Sequence, residues 1–382
     1  MKRKVVVTGI GVVSPVGNNA QEFSAAMRQG YDGAAPITRF EAGNFPVKKA
    51  CEVKNFPLDS ATDPFIQFGL QAAGEAFKDS GLDQGAMDPY RFGLAVSSSK
   101  GGMTSLEKGD FENYSPDRLN SHLARRYQAK GPMQCVIAAC STGTYAVMEA
   151  ARWIEQGDAD FVLAGASDAS ITPLMLAGYH QLGVYSKNGM CPYDSRRSGF
   201  LVGEGAGVVA LELETQARAR GAQIYARIAG YAMTTDAYRA TAFDPETNEL
   251  RYLLRELLRK ADIKAADIDY FNTHGTSTRE GDRYETEQIK KAFGKDAYGI
   301  SYSSTKSMVG HMLGASGAVE LIACLLAMKE SFVPPTIHYE QPDPACDLDY
   351  TPNQPRVGKI DLACSISLGF GGHMGGIIVK KG

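Results

Sequence analysis

The stretch Ala138-Ala139-Cys140-Ser141-Thr142-Gly143 separates a short apolar run from a segment of strong helix formers. Residues 133–139 (MQCVIAA) predict a buried strand, and residues 145–154 (YAVMEAARWI) predict a helix. The Cys140 thiol then lies at the positive end of the helix dipole, beside unpaired N–H groups. Such a position favours the thiolate, with a pKa of roughly 3.5 to 7.5 instead of about 8.5. The pattern is that of an exposed nucleophile on a strand–turn–helix elbow, although a buried structural cysteine also fits it.

Length and composition narrow the function classes. The chain has 382 residues, 44% of them hydrophobic, which allows a large core and two or three domain-sized units. A net charge of −3 implies no general attraction to nucleic acid or to an anionic membrane. The seven cysteines form no CxxC pair, and no apolar run reaches a membrane-spanning length. The apolar run at the start is too short for a signal peptide, so we expect a cytoplasmic protein.

The chain contains two glycine-rich motifs, the first of which resembles a dinucleotide-binding fingerprint. In GIGVVSPVG, which holds Gly9, Gly11 and Gly17, the third glycine of a dinucleotide fingerprint would stand at Ser14, and no helix opens there. We therefore interpret this segment as a glycine-rich turn. The later motif GEGAG, residues 203–207, is typical of close backbone packing before a strand, and we assign it to structure.

Strands and helices alternate in two successive rounds. The first round predicts strands at residues 4–7, 92–96, 133–139, 159–164 and 208–213, and helices at 21–29, 64–79, 145–154 and 215–220. The second predicts strands at 225–230, 268–272, 299–303, 363–367 and 376–380, and helices at 249–260, 286–293 and 317–329. Residues 31–62, 103–130 and 172–200 predict little regular structure. This order favours two similar α/β halves, residues 1–220 and 221–382, each with a buried helix behind a catalytic-looking loop.

Three loops of the second half carry further chemistry. They are NTHGTST at residues 272–278, the STKS-to-GHMLGASG segment at 304–317, and GFGG at 369–372. Two histidines, His274 and His311, thus follow predicted strands and lie among small residues. A single histidine in such a place is usually a hydrogen-bonded loop residue. Two of them together with Cys140 favour a nucleophile-and-base site.

The motifs ACSTG, THGTST, STKSxxGHxxGASG and GFGG, in this order, resemble those of the β-ketoacyl-acyl carrier protein synthases, the type I/II condensing enzymes. The likeness runs from residue 4 to residue 380. It implies the thiolase fold, an α/β fold with two duplicated halves in a five-layered αβαβα arrangement. It also implies acyl transfer, decarboxylation of a malonyl group and Claisen condensation, in fatty acid, polyene or polyketide synthesis.

The resemblance assigns roles to five residues that would act on the reacting groups. Cys140 matches the nucleophile that accepts the acyl group, and it would lie in the half formed by residues 1–220. His274 and His311 match the histidine pair that acts on malonyl-carrier protein. Lys306 matches the active-site lysine of the family, and Glu320 matches its ion-pair partner.

The resemblance also implies how substrates arrive. Thr276 and Thr278 match residues that hydrogen-bond a phosphopantetheine arm. Phe370 matches a gating aromatic whose N–H joins that of Cys140 in an oxyanion hole. The expected partners are acyl carrier protein and a second synthase-like chain, identical or related. No metal and no separate cofactor are expected, because the carrier's own arm presents the substrate.

The chain departs from the family pattern in ways that bear on partner and substrate. GFGG is followed by His373-Met374 in place of the usual TN, and the segment between residue 97 and Cys140 is short. The usual basic residues for carrier docking are absent around residue 64. A basic cluster at residues 125, 126 and 130 is the candidate replacement.

Two rival functions remain open on the sequence. One is a non-elongating, chain-length-factor-like partner subunit, although such proteins lack the nucleophilic cysteine that Cys140 matches. The other is a thiolase-fold enzyme that uses coenzyme A, such as a degradative thiolase or a CoA-primed synthase. The THGTST and GHxxGASG motifs favour the carrier-protein enzymes.

We predict that Cys140 becomes covalently acylated. Intact-protein mass spectrometry after mixing with an acylated carrier protein should reveal one acyl addition, because the thiol exchanges with the carrier's thioester. The addition should be lost in Cys140→Ala. An acyl addition that survives in this variant would exclude Cys140 as the nucleophile.

Overall fold

The computed structural model describes residues 3–43, 45–186, 189–244, 246 and 248–382. The main strands are β1 (Val5–Val13), β2 (Ala35–Pro36), β3 (Lys49–Ala50), β4 (Phe92–Ser97), β5 (Phe161–Asp168), β6 (Gly205–Leu213), β7 (Ala226–Thr235), β8 (Tyr270–Asn272), β9 (Ser301–Ser303), β10 (Phe332–Val333), β11 (Arg356–Val357), β12 (Leu362–Leu368) and β13 (His373–Lys380). The α-helices are α1 (Ala20–Gln29), α2 (Pro64–Asp79), α3 (Met103–Glu107), α4 (Arg118–Tyr127), α5 (Thr142–Gln156), α6 (Pro173–Gln181), α7 (Glu214–Ala219), α8 (Glu249–Ala261), α9 (Arg279–Phe293), α10 (Lys306–Val309) and α11 (Ser316–Glu330).

The strand order repeats between the halves. In the second half, β7 pairs with β13 and β13 with β12, and both pairs are antiparallel. The next two pairs, β12 with β8 and β8 with β9, are parallel. In the first half β1, β6, β5 and β4 follow the same order and senses, and a parallel bridge from Leu94 to Met133 stands where β9 would be. The duplication expected from element order is therefore confirmed by topology.

Because β1 also pairs with β7, the strands of both halves form one nine-stranded sheet, whose two parts, one from each half, are called the two sheets below. Helices cover and separate these two parts. Helix α2 packs on β1, β5 and β6, and α8 packs on β7 and β13. Helices α5 and α11 lie between the sheets and contact strands of both. Three large apolar clusters of buried residues fill the spaces between these layers. The five-layered αβαβα thiolase fold predicted above is thus the observed one. None of the helices in the described part of the chain has the length and apolar character needed to cross a bilayer.

The predicted glycine-rich turn after residue 7 is wrong. Gly9 and Gly11 lie inside β1, which extends to Val13. A Cβ at Gly11 would stand 2.0 Å from the Ala72 carbonyl oxygen, and one at Gly9 would stand 2.1 Å from that of Ala76. These glycines therefore allow the backbone of α2 to press directly against the strand.

The buried strand predicted at residues 133–139 is also wrong. Apart from the bridge at Met133 the segment forms no strand, and Met133 and Ile137 are 52% and 58% exposed. It runs along the outer edge of β4, where one side faces away from the sheet. The segment 103–130, for which little regular structure was predicted, contains α3 and α4.

We predict that Gly11→Ala destabilises the protein by about 1–3 kcal/mol or more, the usual cost of overpacking, because α2 must move away from β1. Urea denaturation measures the loss. Gly178→Ala is the matched control, since Gly178 lies in α6 with open space around it and should be neutral or slightly stabilising. Equal stability of Gly11→Ala and the unmodified protein would contradict the close packing.

Candidate active site

Cys140 lies in a single 3-10 turn, Ala139–Ser141, that leads directly into α5. Ala139 adopts a positive φ of 48°, which directs the chain sharply into the helix. The Thr142 hydroxyl fixes this turn, because it accepts from the Ala138 N–H at 3.0 Å and donates to the Ala139 carbonyl at 2.8 Å. The nucleophile candidate is 7% exposed. It therefore stands at the helix start, as the sequence predicts, but in a buried setting.

The second half repeats this turn beside His311. A 3-10 turn, Leu313–Ala315, precedes α11, and Leu313 has a φ of 52°. The His311 Nε2 atom lies 3.1 Å from the Cys140 sulfur, and its Nδ1 atom lies 3.0 Å from the Ser316 hydroxyl. A hydroxyl can donate or accept, so Ser316 accommodates either neutral tautomer of His311.

His274 completes a triangle with these two residues. Its ring centre is 5.5 Å from that of His311, and the two planes are nearly perpendicular. The buried Glu285 carboxylate fixes the loop, because it accepts from the N–H groups of His274 and Gly275 at 2.6 and 2.9 Å. Glu285 belongs to α9, which begins at Arg279 and not near residue 286 as predicted. Arg279, Glu280 and Arg283 in its first turns are exposed, whereas Asp282 and Glu285 are buried, and Glu285 positions the histidine loop.

Lys306 and Glu320 form a buried ion pair behind the histidines. Burial raises the pKa of the Glu320 carboxyl to about 7, against the opposing pull of the Lys306 ammonium. The Lys306 charge also acts on both imidazoles. Together with burial it holds the pKa values of His274 and His311 well below their usual range. Both histidines are therefore neutral at physiological pH.

One cavity of about 610 Å³ joins most of the predicted site. Its lining includes Cys140, His274, His311, Thr276, Thr278 and Phe370. The Thr276 and Thr278 hydroxyls lie 3.1 Å apart on one wall. The Phe370 N–H donates a hydrogen bond to the Cys140 sulfur. Lys306 and Glu320 are not among the lining residues and act on the cavity through charge.

The expected low pKa of the Cys140 thiol is wrong. Burial raises this pKa, and the charges of Lys100 and Lys306 and the Phe370 N–H oppose the increase without cancelling it. The prediction rested on the helix terminus, which lowers a thiol pKa. Removal of water from the sulfur, which depends on the tertiary structure, raises the pKa more. The same desolvation keeps the neighbouring histidines uncharged.

Four residues near the site were missed by the sequence reasoning. They are Lys100, Asp168, Glu285 and Ser316. A usable signal existed for two of them, because Lys100 and Asp168 stand at or just after the carboxyl ends of the neighbouring parallel strands β4 and β5. Polar residues there belong to the same edge of the sheet. No comparable signal marks Glu285 or Ser316.

Comparison with known proteins agrees with this geometry. Residues 2–217 match the model for the β-ketoacyl synthase N-terminal domain, and residues 225–340 match that for the C-terminal domain. A 3-oxoacyl-[acyl-carrier-protein] synthase 2 of Coxiella burnetii is 40% identical, with 100% of this chain and 99% of the relative covered. The protein of that name in Staphylococcus aureus (strain COL) is 38% identical, with 99% and 98% covered.

Solved structures give the same family. A type II polyketide synthase acyl-carrier protein in complex with its hexaketide-bound ketosynthase matches with a TM-score of 0.94 and 32% identity, and both chains are fully covered. The ishigamide ketosynthase/chain length factor matches with a TM-score of 0.92 and 32% identity, again over both full chains. This chain therefore belongs to the β-ketoacyl-acyl carrier protein synthase family, the condensing enzymes of the acyltransferase class that serve fatty acid or polyketide synthesis.

Proposed function

We propose that this chain takes an acyl group from a carrier protein onto Cys140 as its first half-reaction. The sulfur attacks the thioester carbonyl, and the carrier's thiol leaves. His311, 3.1 Å from the sulfur, accepts the thiol proton and returns it to the departing thiolate. The N–H groups of Phe370 and Cys140 stabilise the oxyanion that forms between these steps.

In the second half-reaction His274 and His311 act on a malonyl group held by a second carrier. Loss of carbon dioxide leaves an enolate, and two neutral imidazoles donate N–H bonds to its oxygen. Because both histidines are neutral, they stabilise this charge without being strong enough acids to protonate the carbon. The enolate carbon then attacks the Cys140 thioester, the sulfur leaves, and a β-ketoacyl product results.

The contact between Cys140 and His311, inside a cavity that His274 also lines, is the observation that carries this proposal. It also favours an elongating enzyme over a chain-length-factor-like partner subunit. A buried thiol with a base at hydrogen-bond distance suits acyl transfer, a reaction that a non-catalytic subunit does not perform.

We place carrier docking at the mouth of the cavity, where Arg239 and Arg279 are exposed on its lining. Acyl carrier protein would deliver its phosphopantetheine arm past Thr276 and Thr278, so no separate cofactor is needed, and the reaction would occur in the cytoplasm. The basic cluster at residues 125, 126 and 130 loses support as the docking site. Lys130 of this cluster donates its backbone N–H to the Pro89 carbonyl near the start of β4, whereas Cys140 lies beyond the other end of that strand.

We propose that a second synthase-like chain, identical or related, covers the edge formed by residues 133–137. Met133 and Ile137 are exposed there, and the N–H of Gln134 already bonds Leu94 on the inner side. A partner strand would remove this apolar edge from water. Within one chain, we propose a division at residues 1–220 and 221–382, which the repeated strand order supports.

We predict that the two half-reactions separate by residue. Cys140→Gln should abolish condensation and still release carbon dioxide from malonyl-carrier protein, because decarboxylation needs no nucleophile. His274→Ala should lose decarboxylation by something like 10²–10³-fold, the usual effect of losing an oxyanion donor, and should still be acylated. His311→Ala should lose decarboxylation and also acylate slowly, since it bonds the sulfur.

Carbon dioxide release and intact-protein mass spectrometry on the same variants measure both half-reactions. Normal acylation of His311→Ala would contradict the role of His311 as base. Absence of decarboxylation and acylation in the unmodified protein would favour the partner-subunit alternative.

We further predict that decarboxylation by Cys140→Gln shows no loss centred on pH 6.5. Burial and Lys306 hold the pKa values of His274 and His311 well below 6.5, so both stay neutral as the pH falls through that value. Rates measured from about pH 5.5 to 8, the range in which an ordinary histidine titrates, provide the test. A rate that halves near pH 6.5 both in Cys140→Gln and in Cys140→Gln/Glu320→Gln, which lacks the carboxyl whose pKa is about 7, would imply an ordinary, solvated histidine.

A further inference from the structure

Lys100 carries a positive charge that acts on Cys140 and is separate from the Lys306–Glu320 ion pair. It follows β4 in the loop Ser98-Ser99-Lys100 and is partly exposed. Its ammonium donates to the Ser99 hydroxyl at 3.0 Å, and that hydroxyl donates to the Asp168 carboxylate at 2.6 Å. Within the part of the chain that the structure describes, Lys100 has no carboxylate within 4.0 Å.

Asp168 anchors this arrangement from the end of β5. It is fully buried and accepts from the Ser98 hydroxyl at 2.7 Å, from both the N–H and the hydroxyl of Ser99, and from the Gly314 N–H at 2.7 Å. Gly314 belongs to the 3-10 turn before α11, and its carbonyl oxygen would stand 2.9 Å from a Cβ at Gly143. The network therefore joins the loop of Lys100 to the elements that hold Cys140.

The charges around the sulfur leave a specific role for Lys100. Among the described residues, the titratable groups that act most strongly on Cys140 or contact it are Lys100, Lys306, Asp168, Tyr179 and His311. His311 is neutral, and Lys306 is paired with Glu320 in the interior. Asp168 disfavours a negative sulfur, although its charge is spread over four hydrogen bonds. Of the two lysines, only Lys306 is bonded directly to a carboxylate. The positive charge of Lys100 is therefore the less compensated of the two.

We propose that Lys100 is a positioning residue for the acyl transfer, stabilising the Cys140 thiolate through its charge, and that Ser99 and Asp168 hold it in place. This inference rests on the proposed role of Cys140 as the nucleophile. The charge of Lys100 partly offsets the burial that makes the sulfur harder to ionise. Lys100 bonds the Ser99 hydroxyl and acts on the sulfur through space, by its charge.

Alkylation of Cys140 by iodoacetamide tests this directly, because the thiolate displaces iodide and no carrier protein is needed. Tandem mass spectrometry distinguishes alkylation of Cys140 from that of the partly exposed Cys135, which lies on the same tryptic peptide, and from that of Cys191. In Lys100→Met the rate near pH 7.5 should fall on the order of 10-fold. It should approach the unmodified rate at high pH, where the thiol ionises without help.

Two variants separate charge from structure. Lys100→Arg keeps the cation and should retain most of the rate, and Lys108→Met removes an exposed cation from the end of α3 and should change nothing. An unchanged profile for Lys100→Met would overturn the proposal, as would a loss that is equal at every pH. If Lys100→Met does not fold, Lys100→Gln replaces it under the same criteria. Normal alkylation without acyl transfer from carrier would instead count against the proposed function.

Discussion

Helices α5 and α11 approach one another so closely between the two sheets that glycines are required along the contact. A Cβ at Gly143 would stand 2.8 Å from the Ala318 nitrogen, and one at Gly317 would stand 2.1 Å from the Thr144 hydroxyl oxygen. Both helices begin with a 3-10 turn of the same form. Because the two helix starts face each other across this tight contact, Cys140 of one half meets His311 of the other.

Burial of the site where Cys140 meets His311 determines which of its groups are charged. Buried imidazoles remain neutral, which suits donation to an enolate, but the same burial opposes ionisation of the thiol. The fold offsets this conflict with fixed groups: the Phe370 N–H, the Lys306–Glu320 pair and the cation of Lys100. Cations placed at some distance stabilise a thiolate without converting the histidines into acids that would quench the enolate.

Buried carboxylates hold the loops that carry the reacting groups. Glu285 accepts two N–H bonds from the His274 loop, and Asp168 joins the loop after β4 to the turn before α11. Each is satisfied by several donors, which offsets the cost of removing a charge from water. Loops held in this way place side chains with little freedom, as a site with two successive half-reactions requires.

Local patterns in the sequence determined much of this protein. Helix α2 spans the predicted residues 64–79, with its proline in the first turn, and the motifs around Cys140, His274, His311 and Phe370 indicated the family and the candidate site. The misses have one cause. Gly9 and Gly11 lie in a strand on which a helix distant in sequence packs too closely for a Cβ, and Met133 and Ile137 are exposed because their segment lies at the edge of a sheet. The pKa of Cys140, the burial of Glu285 in α9 and the place of Lys100 likewise depend on packing between segments far apart in the chain. Local sequence specifies which residues turn, pair or react, whereas desolvation and neighbouring charge are decided by tertiary structure.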